Sequence, residues 1–287
     1  MSRIAYVNGR YVQHKEAAVH VEDRGYQFAD GVYEVCEVAR GNLMDMTGHL
    51  DRLDRSLREL AIAWPMARNV LSVVMREVVR RNGVFNGLVY VQVTRGVAPR
   101  DHVFPTKPVR PALVITAKRT DPSAAAKRAE TGIKVISVPE NRWERVDIKS
   151  VGLLPNVLAR QKAKEAGAQE AWFIDPDGTV KEGAATNAWI VTKDGALVTR
   201  PAESGILKGI TRTTVMKIAE KLGLKVEERA FSLDEAYGAR EAFITAATTL
   251  VMPVVTIDGR QIANGHPGSV ATSLRSAFFD VAEKTPA

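Results

Sequence analysis

The chain has 287 residues, enough for one large domain or two of ordinary size. Hydrophobic residues make up 45% and charged residues 25%, which excludes a disordered or low-complexity chain, and the longest apolar runs are strand-sized, which excludes a membrane-spanning helix. The net charge of +7 raises nucleic-acid binding, but the basic residues are interleaved with acids, as in Asp51-Arg-Leu-Asp-Arg-Ser-Leu-Arg-Glu59, so small anions such as phosphates and carboxylates are the better match.

The chain opens on a strand-like run entering a turn at Asn8-Gly9, without the apolar core of a signal peptide. Leu50, Leu53, Leu57 and Leu60 fall on one face of a helix that begins near Thr47. A second helix is expected over 67–81, stopped by Asn82-Gly83, and β-branched runs at 87–94 and 112–117 predict strands. Residues 120–132 are polar, rich in small residues and without an apolar face, which predicts a linker. The pattern then restarts with a strand at 133–138, a helix over 156–166, and strands at 171–174 and 188–191. Lys193-Asp-Gly195 marks a hairpin turn. Helices over 211–222 and 270–283 flank strands at 242–245 and 253–257. The expectation is a two-domain α/β (α+β) protein: an N-terminal domain over 1–119, a linker over 120–132 and a C-terminal domain over 133–287. Cys36 is the only cysteine, so no internal disulfide forms and a reducing cytoplasm is the expected setting. With no evident His or Asn partner, Cys36 is expected to be a small core residue.

Four settings could carry chemistry. Lys149 lies in Val146-Asp-Ile-Lys-Ser-Val-Gly-Leu-Leu154, a largely apolar stretch. Burial disfavours the ammonium form and frees an amine for Schiff-base chemistry, although a lysine snorkelling from a strand edge fits the same context. Gly205-Ile-Leu-Lys-Gly-Ile-Thr-Arg-Thr-Thr214 is a glycine turn feeding a helix start, which suits either a phosphate or an ordinary threonine cap. Glu182, before Gly183 and a run of small residues, is either a partner for a buried cation or a solvated turn residue. Arg100 and His102 stand on a Gly- and Pro-bearing loop, either for a carboxylate or simply at the surface. No phosphate-binding Walker loop, nucleophile elbow or metal-ligand spacing competes with these.

Six segments share an order and spacing: Glu22-Asp-Arg-Gly-Tyr-Gln-Phe-Ala-Asp-Gly-Val-Tyr-Glu-Val35, His49-Leu-Asp-Arg-Leu53, the 95–102 loop with Phe104-Pro105, Asp147-Ile-Lys-Ser150, Glu182-Gly-Ala-Ala-Thr-Asn187 and Leu207-Lys-Gly-Ile-Thr-Arg212. Together they resemble the fold-type IV pyridoxal-phosphate enzymes, and among them the bacterial D-amino-acid aminotransferases. The resemblance runs from near Tyr6 to near Leu274. It implies a smaller N-terminal α/β domain and a larger C-terminal domain with a barrel-like sheet flanked by helices. It implies pyridoxal 5′-phosphate as cofactor, held on Lys149 as a Schiff base, with Glu182 on the pyridine nitrogen and Leu207 against the ring. Arg52, Gly209, Ile210 and Thr211 would hold the phosphate, with Thr248 and Thr249 compensating for hydroxyls missing elsewhere. Tyr33, Arg100 and His102 would bind the substrate carboxylate, the last two reaching across a homodimer. Ala184, Ala185, Ala246 and Ala247 depart from the family pattern, standing where relatives carry serines or other hydroxyl residues. The implied reaction exchanges the amino group of D-alanine or D-glutamate with 2-oxoglutarate or pyruvate, with neither nucleic acid nor membrane as partner. A branched-chain aminotransferase, an R-selective amine transaminase, an aminodeoxychorismate lyase and a non-catalytic basic binding protein are the alternatives.

Overall fold

Strict alternation of buried and half-buried residues sets the first unit of the computed structural model, which describes residues 3–203 and 205–287. Its elements are β1 (Ile4–Val7), β2 (Arg10–Gln13), α1 (Arg24–Phe28), β3 (Gly31–Ala39), β4 (Asn42–Met44), α2 (Met46–Glu59), α3 (Arg68–Arg81), β5 (Gly87–Thr94) and β6 (Ala112–Arg119). A short strand, Lys284–Pro286, joins the edge, giving the antiparallel order Lys284–Pro286, β4, β3, β5, β6, β1, β2. Val32, Cys36 and Val38 of β3 face the same way as Val89, Val91 and Val93 of β5, and pack on the leucines of α2 and on Leu71, Met75 and Val78 of α3. Cys36 is buried in that core, as expected. The opposite face carries Tyr33, Val35, Tyr90 and Gln92, which stay half-buried.

The second unit contains α4 (Pro122–Thr131), β7 (Ile133–Pro139), α5 (Leu154–Glu165), β8 (Glu170–Ile174), β9 (Val180–Gly183), β10 (Asn187–Val191), β11 (Leu197–Thr199), α6 (Ile210–Lys221), β12 (Val226–Glu228), α7 (Leu233–Tyr237), β13 (Glu241–Ala246), β14 (Leu250–Ile257), β15 (Arg260–Gln261) and α8 (Ser269–Val281). Its sheet runs β12, β11, β10, β13, β14, β7, β8, β9, with β15 on β14. Five strand spacings of about 4.8 Å separate β10 from β9 along that order. Yet only residues 184–186 connect the two strands, a reach of at most about 14 Å. The sheet therefore curls back on itself, which is the barrel-like core the resemblance implied. Trp172, Trp189, Phe173, Phe231 and Phe243 are among its largest fully buried side chains.

Two features differ from the sequence expectation. Residues 122–131, expected as a linker, form α4. Its Ala-rich run favours helix, but no residue of it is buried, so an apolar stripe could not have revealed it. The chain also divides differently: the first unit takes Ile148–Gly152 and Glu283–Ala287 in addition to the residues up to Pro122, and the second takes Ser123–Asp147 and Leu153–Ala282.

Candidate active site

The short stretch Ile148–Gly152 is held by backbone bonds to the start of β3. Tyr33 N donates to Lys149 O (3.0 Å) and Val151 N donates to Gly31 O (3.0 Å). Ile148 is anchored in the core, and Lys149 N donates to Ser56 Oγ of α2 (3.3 Å). These bonds present the Lys149 side chain beside Tyr33: Nζ donates to the phenolic oxygen at 3.2 Å and lies 4.3 Å from the ring centre. Tyr33 in turn stacks on Tyr90, ring centres 5.6 Å apart. Burial, and then Tyr33, pushes the Tyr90 phenol up to about 12, so it stays neutral.

Arg52, on α2, is gripped by a residue the sequence analysis left without a role. Glu34 accepts from Arg52 Nε (2.7 Å) and Nη2 (2.8 Å), and His49 Nδ1 lies 2.7 Å from its Oε2. Burial pushes the Glu34 carboxyl up, but the Arg52 charge and bonds, with His49, outweigh it and bring it down to about 2. A charged residue at a core-facing position of β3, between Val32 and Cys36, was the available signal.

In the second unit Glu182 lies near the end of β9 and is buried. Arg142 Nη1 donates to its Oε1 at 2.7 Å, and Oε2 accepts from Asn187 Nδ2 (3.1 Å) and Leu207 N (3.2 Å). Arg142 is shared with Glu140, whose Oε2 accepts from Nη2 at 2.6 Å, and it stands 4.3 Å from the centre of the Phe173 ring. Burial pushes the Glu182 carboxyl up, and Arg142 pulls against it without cancelling it. Arg142 lies 40 residues before its partner and has no local motif, so nothing in the sequence singled it out.

Leu207, Gly209, Ile210 and Thr211 lead into α6. Asn187 Nδ2 also donates to Leu207 O (2.9 Å), tying this turn to Glu182. A Cβ on Gly209 would sit 2.0 Å from Asn187 Oδ1, so a side chain there would displace Asn187. Gly209 also leaves α6 without a side-chain cap, and Thr211 is buried just inside the helix. After β13, Thr248 is exposed, whereas the neighbouring Thr249 has a buried hydroxyl with no hydrogen-bond partner among the described residues. Ala184 packs in the core with Phe173 and Ala163, while Ala185 is exposed. Arg100 and His102 are exposed on the loop after β5, both against Phe28: Arg100 Cζ is 4.6 Å from its ring centre and the His102 ring 5.4 Å.

A family model described as amino-transferase class IV matches residues 31–257. The D-alanine aminotransferase of Bacillus licheniformis is 40% identical over 282 residues, covering 97% of this chain and 98% of the relative. The chain belongs to the class IV aminotransferases. A second D-alanine aminotransferase, from Staphylococcus haemolyticus, is 39% identical over 273 residues, 95% of each chain. Among solved structures, the branched-chain amino acid aminotransferase from Escherichia coli superposes with a TM-score of 0.88 at 26% identity, covering 98% of this chain and 94% of that one. The branched-chain amino acid aminotransferase of T.th., solved with pyridoxamine 5′-phosphate, gives 0.89 at 28% identity, with the same coverage.

As a class IV aminotransferase this chain is a pyridoxal-phosphate enzyme and a transaminase. Its residues fit the cofactor's chemistry. Glu182 is a buried carboxylate of the kind that would accept from a ring N–H. The uncapped start of α6 and the orphaned Thr249 hydroxyl suit a phosphate. Lys149 is a primary amine of the kind a Schiff base requires.

Proposed function

We propose that the chain is a D-amino-acid transaminase, moving the amino group between D-alanine or D-glutamate and 2-oxoglutarate or pyruvate in ping-pong order. It works in the cytoplasm, as a homodimer in which Arg100 and His102 serve the partner's site. Two D-alanine aminotransferases near 40% identity support this substrate class over the branched-chain one, whose structures stand at 26% and 28%. The observation that carries the reading is the Lys149 amine held 3.2 Å from the Tyr33 hydroxyl by a segment sewn to β3.

Bound pyridoxal phosphate supplies a carbonyl for the Lys149 amine and a ring that takes up electrons. Lys149 Nζ would take the proton from the substrate Cα and deliver it to the cofactor carbon that accepts the amino group. The Tyr33 hydroxyl, which accepts a hydrogen bond from Nζ, restricts where that amine points. Glu182 would keep the ring nitrogen protonated, its carboxylate being fixed by Arg142, Asn187 and the Leu207 N–H. Leu207 would pack on the ring. On the family pattern Arg52, Gly209, Ile210, Thr211 and Thr248 would hold the phosphate, and Glu34 engages Arg52 through Nε and Nη2. Tyr33, Arg100 and His102 receive the substrate carboxylate, and the side on which they hold it selects the Cα–H bond that faces Lys149.

Half-reaction spectra test the substrate class. D-Alanine, and not L-alanine, is expected to convert the bound aldehyde form of the cofactor to the amine form. L-Leucine reacting faster would establish the branched-chain alternative. Pyruvate released from aminodeoxychorismate without net amino transfer would establish a lyase.

A further inference from the structure

Two buried arginines of the first unit share one carboxylate. The Nε of Arg24 and the Nε of Arg95 donate to Asp30 Oδ2 at 2.8 and 2.7 Å, and Arg95 Nη2 adds a 3.0 Å bond to Oδ1. The remaining arms of these guanidiniums go to different places. Arg95 holds the end of α2 through Leu60 O (2.7 Å) and Ala61 O (3.1 Å). Arg24 reaches the loop after β5, with Nη1 on Asp101 O at 2.6 Å and Nη2 on His102 O at 3.4 Å.

That loop has no ladder of its own, so its course depends on such contacts. Its entry is pinned where Arg24 N donates to Gly96 O (2.9 Å) and Ala98 N donates to Glu22 O (3.3 Å). Beyond the entry, Arg24 bonds the carbonyls of two of the three residues in Arg100-Asp101-His102. Phe28, one helical turn after Arg24 in α1, lies beneath Arg24 (4.9 Å), Arg100 and His102 alike. The planar fork of Arg24 therefore sets the backbone from which both side chains project, and Phe28 sets the surface they rest on.

We infer that Arg24 is a positioning residue for substrate recognition: it fixes the spacing of Arg100 and His102, and through them the binding of the substrate carboxylate, without touching substrate itself. This rests on the roles proposed for Arg100 and His102. Lysine at position 24 keeps a cation beside Asp30 but has no second planar arm for the loop. Arg24→Lys is expected to raise KM for D-alanine about tenfold, a change of roughly 1.4 kcal/mol, while kcat stays within about threefold of wild type. The Kd of D-lactate, a carboxylate that cannot react, rises in step when measured by thermal shift. The rate at which hydroxylamine, which has no carboxylate, attacks the bound cofactor stays the same. In an Arg100→Ala background the further effect of Arg24→Lys falls below about twofold, because both act through one contact.

Additive losses, or an equal loss with hydroxylamine, would show a merely structural role and overturn the inference. Arg100→Ala with a raised KM, beside Arg24→Lys with an unchanged one, overturns the positioning role alone. An unchanged KM in Arg100→Ala overturns the loop's proposed function as well. If Arg24→Lys does not fold, Phe28→Leu removes the shared platform without altering buried charge. The same KM-against-kcat split is expected there, and its absence counts equally against the inference.

Discussion

Glu34 occupies a core-facing position of β3, where an ionised carboxylate persists only because Arg52 and His49 close on it. With its carboxyl brought from the ordinary 4.5 down to about 2, the charged form is tied to the fold by roughly 3 kcal/mol. A lowered folded value means that this stability is fully present above about pH 4.5 and is lost as pH falls towards 2. Glu34→Gln is therefore expected to melt well below wild type at neutral pH. The gap should narrow between pH 4.5 and 2, as followed by thermal melts across that window; a gap constant with pH would show that the charge is not what Arg52 needs. Lys149 differs in kind, because its backbone and not its side chain makes the sheet bonds. Lys149→Ala should keep a wild-type circular dichroism spectrum and lose steady-state turnover, and full activity in that variant would remove Lys149 from the mechanism. Local context left Lys149 and Glu182 open between chemistry and an ordinary surface role, and only the six-segment resemblance singled them out from sequence. Arg142 was not singled out, since its meaning comes entirely from two carboxylates that folding brings to it.

At the level of elements, helices with an apolar stripe were legible and those without one were not. The leucine spacing of α2 marks its buried face, and the alternation in β5 gives that strand's limits to the residue. The exposed α4 has neither mark, and the neighbour relations of the curled sheet, with β7 parallel to both β8 and β14, are long-range facts that no window contains. The start of α8 shows the same non-locality. Glu241, buried at the beginning of β13, accepts from Val270 N and Ala271 N, both at 3.0 Å, and so caps a helix that starts 28 residues later. Gly268 makes room for it, since a Cβ there would lie 1.9 Å from the Glu241 carboxyl carbon. Two charge-assisted bonds to a helix start carry about 2 kcal/mol together. Glu241→Ala should lower the urea midpoint accordingly, with unchanged KM for D-alanine in the folded enzyme.

For the molecule as a whole, the sequence pattern points to two domains and a division near residue 120. By continuity it places Ile148–Gly152 and Glu283–Ala287 in the second domain, whereas they pack with the first. Periodicity reports an element's faces but not which core those faces meet, and both stretches are too short to show a period. The last stretch is bound firmly: Glu283 N donates to Asp45 Oδ1 (2.9 Å), and the Glu283 carboxylate accepts from Thr47 Oγ1 (2.8 Å) and Thr47 N (3.2 Å) at the head of α2. Removing residues 283–287 should therefore destabilise the first unit selectively. Hydrogen exchange of β4 and the first turn of α2 should accelerate, while β13 and β14 stay protected.

This arrangement also bears on the order of events at the ribosome. Nascent domains ordinarily fold in the order in which they emerge. Here the unit made first waits for an edge strand translated after the whole of the second, and for a lysine-bearing segment translated midway. The nascent first unit thus shows the hydrogen-bonding edge of β4 to its surroundings through most of synthesis. Such an edge recruits other chains, so aggregation during expression should track the translation time of residues 123–282, and slow translation of that stretch is where chaperone dependence is expected to be greatest.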